Sequence, residues 1–91
     1  SVATKLNANS GTSLLYAAIA SLAVVQQKET FTRQDLNNAM KSAVGYYKPT
    51  YTNNLTSYID TLLKQGVIIE VAKDSYALRE SERSAMEQKL S

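Results

Sequence analysis

Apolar residues recur at helical spacing in three segments of the chain, at intervals of three and four residues that place them on one face of a helix. The predicted core faces are Leu14, Ala18, Leu22 and Val25; Leu36, Met40 and Ala43; and Leu55, Ile59 and Leu62. We expect the first helix to run to about residue 28 and the third to span residues 53–65. Gly45 and Gly66 are placed to end the second and third helices.

Residues that favour a helix start precede each of these segments. Ser10 or Thr12 is placed to cap the first helix, and Thr52 to cap the third. Thr32 and Asp35 predict a capping box for the second helix, with Asp in place of the preferred Glu. The helix boundaries therefore have local support in the sequence.

The remaining apolar residues alternate or cluster in ways typical of strands. Residues 29–31 predict a short strand or an extended link. Residues 67–71 and 76–78 flank a turn at residues 72–75, which predicts a β-hairpin. The segment after Arg79 has a helical composition, and Met86 and Leu90 lie one turn apart on it.

Two segments lack periodicity. Residues 1–10 are polar, and we expect a flexible N-terminal tail or linker there, followed by one domain over residues 11–91. The missing initiator methionine suggests a fragment of a longer protein. Residues 46–52 are expected to form a connection, because Pro49 cannot continue a helix.

Composition narrows the function classes. The chain has 91 residues with no cysteine and no histidine, so it lacks a thiol nucleophile and the commonest general base and metal ligand. We therefore expect no enzyme activity, no metal, no cofactor and no small-molecule ligand. A membrane span needs about 20 apolar residues, and the apolar run over residues 14–25 is shorter. We expect a cytoplasmic protein without a membrane partner, and its net charge of +2 permits a polyanionic partner without requiring one.

The order helix, short strand, helix, turn, helix, hairpin resembles the winged-helix superfamily over residues 12–79. The stretch NNLTSYIDTLLKQGVIIEVAKDSYALRE, residues 53–80, carries most of the resemblance. It implies a mostly α fold with a small β-hairpin (α+β), in which a three-helix core carries the hairpin as a wing and a C-terminal helix follows. It also implies that the third helix lies in the DNA major groove while the wing contacts the backbone or minor groove.

Under this interpretation the chain is a module of a larger regulatory or DNA-processing protein that binds double-stranded DNA. Asn53, Asn54 and Ser57 would lie nearest the bases, and the other predicted contacts are Arg33, Lys41, Tyr47, Lys48, Thr50, Tyr51, Lys64 and Lys73. The alternative is a protein-interaction or self-association domain, with a homodimer through the first and last helices as one form. Asp60 beside Lys64 and Asp74 beside Lys73 favour this alternative, because neither pair attracts phosphate.

Overall fold

The computed structural model describes residues 1–91 as a mostly helical α+β fold. Its six helices are α1 (Val2–Lys5), α2 (Gly11–Ala20), α3 (Arg33–Lys41), α4 (Pro49–Asn53), α5 (Leu55–Lys64) and α6 (Glu80–Leu90). Its strands are β1 (Phe31–Thr32), β2 (Ile68–Ala72) and β3 (Ser75–Leu78), which form one antiparallel sheet in the order β1-β3-β2. The predicted α+β class is confirmed in this general form.

Helix α2 lies at the centre of the core. The Ser10 hydroxyl accepts a hydrogen bond from the Ser13 amide at 3.2 Å, and the Ser13 hydroxyl accepts one from the Ser10 amide at 2.9 Å, so Ser10 is the cap. The helix continues as a π-helical turn, Ser21–Val25, and Gln27 adopts a left-handed backbone with φ of +59°. No helix of the chain combines the length and apolar composition needed to cross a membrane.

The apolar face of α2 is covered within the chain itself. Seven of its ten residues are buried, among them Leu14, Leu15 and Ile19. This burial opposes the alternative in which the first and last helices expose a dimer surface, since Met86 of α6 is also fully buried.

Helix α3 begins at the predicted capping box. The Thr32 hydroxyl accepts from the Asp35 amide at 3.0 Å, and the Asp35 carboxylate accepts from the Thr32 amide at 2.9 Å. Leu36 and Met40 are fully buried, as their spacing predicts. The helix ends at Lys41, earlier than expected, and Gly45 with φ of +89° lies in the following turn.

Asp35 should make the stability of the protein depend on pH. The amide of Thr32 and the nearby Lys28 ammonium hold the pKa of Asp35 below its ordinary value of 3.8. Its ionised form therefore stabilises the fold at neutral pH, and this contribution disappears as the pH falls below about 4 through the folded pKa. We expect Asp35→Asn to lower the free energy of unfolding at pH 7 by about 0.3–1 kcal/mol.

Urea unfolding from pH 7 to pH 2 measures this effect. The difference between the native protein and Asp35→Asn should shrink as the pH falls. Asp60→Asn removes the same charge from an exposed position on α5 that forms no ion pair, so it is the matched control. A constant difference between the native protein and Asp35→Asn across this range would contradict the prediction.

The connection predicted for residues 46–52 is wrong in part. Pro49 occupies the first position of α4, where its missing amide hydrogen costs nothing. Thr52 lies inside α4 and does not cap the next helix; its hydroxyl donates to the Asn37 side-chain oxygen at 2.8 Å. Helix α5 therefore begins at Leu55, after a break at Asn54.

The hairpin forms as predicted, with Lys73 and Asp74 in its turn. Asp74 has a left-handed backbone with φ of +55°, a conformation that Asp tolerates better than most residues. A bulge between Glu70 and Ala72 shifts the register of β2 against β3. Strand β1 overlaps the strand or link predicted for residues 29–31 at Phe31 only, and it pairs Phe31 with Tyr76 on the other side of β3.

Residues 1–10 do not form the flexible tail that their polar composition suggested. Val2–Lys5 is helix α1, and Ala3 and Ala8 are buried in the core. The Thr4 hydroxyl shares a 2.6 Å hydrogen bond with the Tyr46 hydroxyl, and the Lys5 ammonium donates to the Leu90 carbonyl at 3.1 Å. Small alanines made this segment look aperiodic, although they pack against larger residues.

Candidate nucleic-acid interface

One face of α5 is exposed along its whole length. Leu55, Ile59 and Leu62 are buried on the inner side. The residues left exposed on the helix are Thr56, Ser57, Asp60 and Lys64. The structure thus presents Ser57 and Lys64 to solvent as the sequence predicts, and it places the acidic Asp60 between them.

Arg33 joins three elements at one end of this face. Its Nη2 donates to the Thr56 hydroxyl at 2.7 Å, which links α3 to α5. Its backbone amide donates to the Asp74 carbonyl at 3.0 Å, which links α3 to the hairpin. Arg33 is half-buried, so its remaining guanidinium donors are held beside α5.

Tyr47 and Tyr51, two of the predicted contacts, also make contacts within the fold. Tyr51 makes edge-on contacts with Tyr47 and Tyr58, with ring centroids 6.4 and 6.0 Å apart. The Tyr47 hydroxyl hydrogen-bonds that of Thr52. Tyr47 and Tyr51 are half-buried, so only part of each side chain is available to a partner. The ring of Tyr58 covers Gly11, where a side chain would overlap it.

The other predicted contacts are exposed and lie on different elements of the fold. Lys41 ends α3, and Lys48 precedes α4, in which Thr50 and Asn53 lie. Asn54 stands at the break before α5, and its side-chain amide donates to the Thr50 carbonyl at 3.0 Å. Asn54 therefore uses one donor to stabilise the break and keeps its side-chain oxygen free of intramolecular bonds.

Carboxylates gather between α5 and the hairpin. Burial raises the pKa of Tyr76, and the negative charges of Glu70, Asp74 and Asp60 raise it further, while Arg33 opposes them. These three carboxylates therefore lie close enough to the Tyr76 hydroxyl for their charges to raise its pKa. Lys73 is the only cation at the tip of the hairpin.

The cations of residues 30–79 lack close carboxylate partners. These residues carry six cations and four anions, and Glu29 and Glu80 adjoin the range at its two ends. The ion pairs are Lys28–Asp35 at 3.7 Å and Arg83–Glu80 at 3.7 Å. None of the six cations of residues 30–79 belongs to either pair, so none of them has a carboxylate oxygen within 4.0 Å.

Some contacts of the site leave no local pattern in the sequence. The bond between Arg33 and Thr56 joins residues 23 positions apart, so the sequence does not predict it. The Arg79 side chain packs against Gly66, just beyond the end of α5. Helical spacing places Thr56 on the exposed face of α5 together with Asp60, and that was the available signal for Thr56.

A separate concave surface lies between α1, α2 and α3. It encloses about 370 Å³, and its twelve lining residues include no charged side chain. Val44 stands at its edge and is 88% exposed. The Tyr46 hydroxyl, which also lines it, is already bonded to Thr4.

Neither a protein-family model, nor a curated protein, nor a solved structure matches this chain.

Proposed function

We propose that this chain is a non-catalytic winged-helix module that binds double-stranded DNA within a larger regulatory or DNA-processing protein. The observation that carries the proposal is that the six cations of residues 30–79 form no ion pair. The order of α2, β1, α3, α5 and the hairpin supports it, because it agrees with the order in winged helices.

Helix α5 has the properties that a groove-binding helix needs. Its ten residues span about 15 Å, and an α-helix fits the major groove of B-DNA, which is about 12 Å wide. Its exposed side chains are short and polar apart from Lys64, so the helix backbone can approach base edges closely. Ser57 would lie nearest the bases, with Asn53 and Asn54 at the break preceding the helix.

Phosphate contacts would come from the cations around this helix. Lys64 lies at the last turn of α5, at one end of the exposed face, and Lys48 lies on the chain just before α4. Arg33 and Lys73 flank the exposed face on the hairpin side. The mixed charge of the hairpin predicts modest affinity for random DNA, since Asp74 offsets Lys73.

Removing Lys48 and Lys64 should weaken DNA binding and should also make it less dependent on salt concentration. For Lys48→Ala/Lys64→Ala, we expect roughly 10- to 100-fold weaker binding to a random duplex at about 50 mM salt. The slope of log affinity against log salt concentration should fall by about 2, because each lost phosphate contact removes about 0.9. Fluorescence anisotropy between about 50 and 200 mM salt measures both quantities.

Two controls sharpen this experiment. Lys48→Arg/Lys64→Arg keeps the charge and should bind as the native protein does. Lys5→Ala/Lys28→Ala removes the same net charge outside residues 30–79 and should change the slope little; circular dichroism verifies that each variant is folded. Absence of binding by the native protein at 50 mM salt, or an unchanged slope in the first variant, would contradict the proposal.

A protein-interaction function is the second candidate. The concave surface beside Val44, which has no charged side chain, favours it, since exposed apolar surface on a small domain is typical of binding sites. Sedimentation distinguishes the two candidates: self-association that depends on concentration, in a protein that does not bind DNA, would favour the second.

A further inference from the structure

Asp60 is the residue that fits a DNA interface least well. It is exposed on α5 one turn after Thr56 and one turn before Lys64. It forms no ion pair, because neither Arg33 nor Lys64 brings a nitrogen within 4.0 Å of its carboxylate. Its carboxylate therefore has no close cationic partner on the surface that would meet DNA.

The cost of this charge depends on which part of the DNA it meets. Phosphates lie along both rims of the major groove, and a carboxylate near them is repelled. The floor of the groove presents hydrogen-bond donors only at certain bases, which are the N4 amino group of cytosine and the N6 amino group of adenine. A carboxylate in the groove is thus favoured at cytosine, because the N7 acceptor beside the adenine N6 amino group repels it.

The layout of charges around Asp60 matches this division of the groove. Cations lie toward the margins of the exposed face: Lys64 at the last turn of α5, and Arg33 bonded to Thr56 at its first turn. Asp60 lies within α5, flanked on its exposed side by Thr56 and Ser57. Margin cations can meet phosphates while the carboxylate faces the groove floor.

We propose that Asp60 determines base preference, by accepting a hydrogen bond from the N4 amino group of a cytosine in the major groove. The inference rests on the proposed DNA binding and adds a sequence preference to it. Asp60 also lowers affinity for duplexes that lack a donor at that position. It therefore increases the difference in affinity between the preferred site and other DNA.

Selection from a randomised duplex pool tests this assignment. The native protein should enrich a site with one position dominated by cytosine. In Asp60→Ala that preference should vanish while the other positions persist. In Asp60→Asn it should change to adenine, because an amide pairs with adenine N6 and N7. Replacing the cytosine in the selected site should weaken binding by the native protein roughly 5- to 100-fold.

Affinity for a random duplex provides the second measurement. Both Asp60 variants should bind it roughly 3- to 10-fold more tightly than the native protein, since each lacks the repelled charge. Glu87→Ala removes one negative charge from α6 at an exposed position and should change this affinity little. An equal gain in Glu87→Ala would show an effect of net charge alone and would overturn the assignment.

The outcomes separate the two proposals. If the native protein binds duplex DNA with a steep salt dependence and the three selected sites agree, Asp60 does not determine base preference but DNA binding stands. If the native protein fails to bind at about 50 mM salt, both proposals are wrong.

Discussion

Replacing Phe31 with alanine is expected to lower the free energy of unfolding by about 3–5 kcal/mol, a large part of the total for a domain of this size. Phe31 is 1% exposed and stands in β1 opposite Tyr76. Its neighbour Thr32 begins the capping box of α3, so the ring ties the sheet to the start of that helix. Because β1 has two residues, its few backbone hydrogen bonds cannot hold it in place once the ring is lost.

Urea unfolding at 25 °C followed by circular dichroism measures this loss. Phe31→Leu preserves most of the buried volume and should cost about 1–1.5 kcal/mol. Glu29→Ala changes an exposed residue two positions earlier and should stay within about 0.5 kcal/mol of the native protein. Equal losses in Phe31→Ala and Phe31→Leu would show that the ring does not fill the core as described.

Local signals located the helix starts that depend on neighbouring side chains. The box at Thr32 joins residues three apart and was predicted from the sequence, and Ser10 was one of the two caps predicted for the first helix, although its box with Ser13 was not. The same holds for the buried face of α5, where Leu55, Ile59 and Leu62 recur at helical spacing. Interactions of short range are the ones a single sequence can reveal.

The features that sequence analysis missed depend on distant contacts. Helix α1 has four residues and is too short to be stable alone. It forms because Ala3 is buried and Lys5 bonds the carbonyl of Leu90, far along the chain. Helix α4 was missed for a different reason: Pro49 was treated as a breaker although it is favourable at a first helical position.

In the candidate site, too, local patterns predicted some features and long-range contacts determined others. Exposure of Ser57 and Lys64 follows from helical spacing, but the role of Arg33 does not. Arg33 was predicted as a free phosphate contact, and the structure also gives it a bond to Thr56 and places it among carboxylates near Tyr76. The electrostatics of a surface depend on which charges folding brings together, which spacing along one helix cannot reveal.

Helix α6 is bound to α2 by polar contacts around a buried methionine. The Tyr16 hydroxyl donates to the Glu82 carboxylate at 2.6 Å, and the Lys89 ammonium donates to the Tyr16 oxygen at 3.1 Å. The Arg83 guanidinium donates to the Ala23 carbonyl at 2.8 Å, in the π-helical turn. Burial raises the pKa of Tyr16, so its hydroxyl remains a donor at neutral pH.

Replacing Met86 with alanine is expected to lower the free energy of unfolding by about 2–5 kcal/mol. Met86 is fully buried, and alanine is a somewhat better helix former than methionine, so a loss must come from packing. Glu87→Ala, at the next and exposed position, should stay within about 0.5 kcal/mol of the native protein in the same urea titration. If the two variants have equal free energies of unfolding, the core does not depend on the packing of α6. The expected difference between them would show instead that the core requires the packing of α6, and that DNA-binding measurements must use a chain that includes this helix.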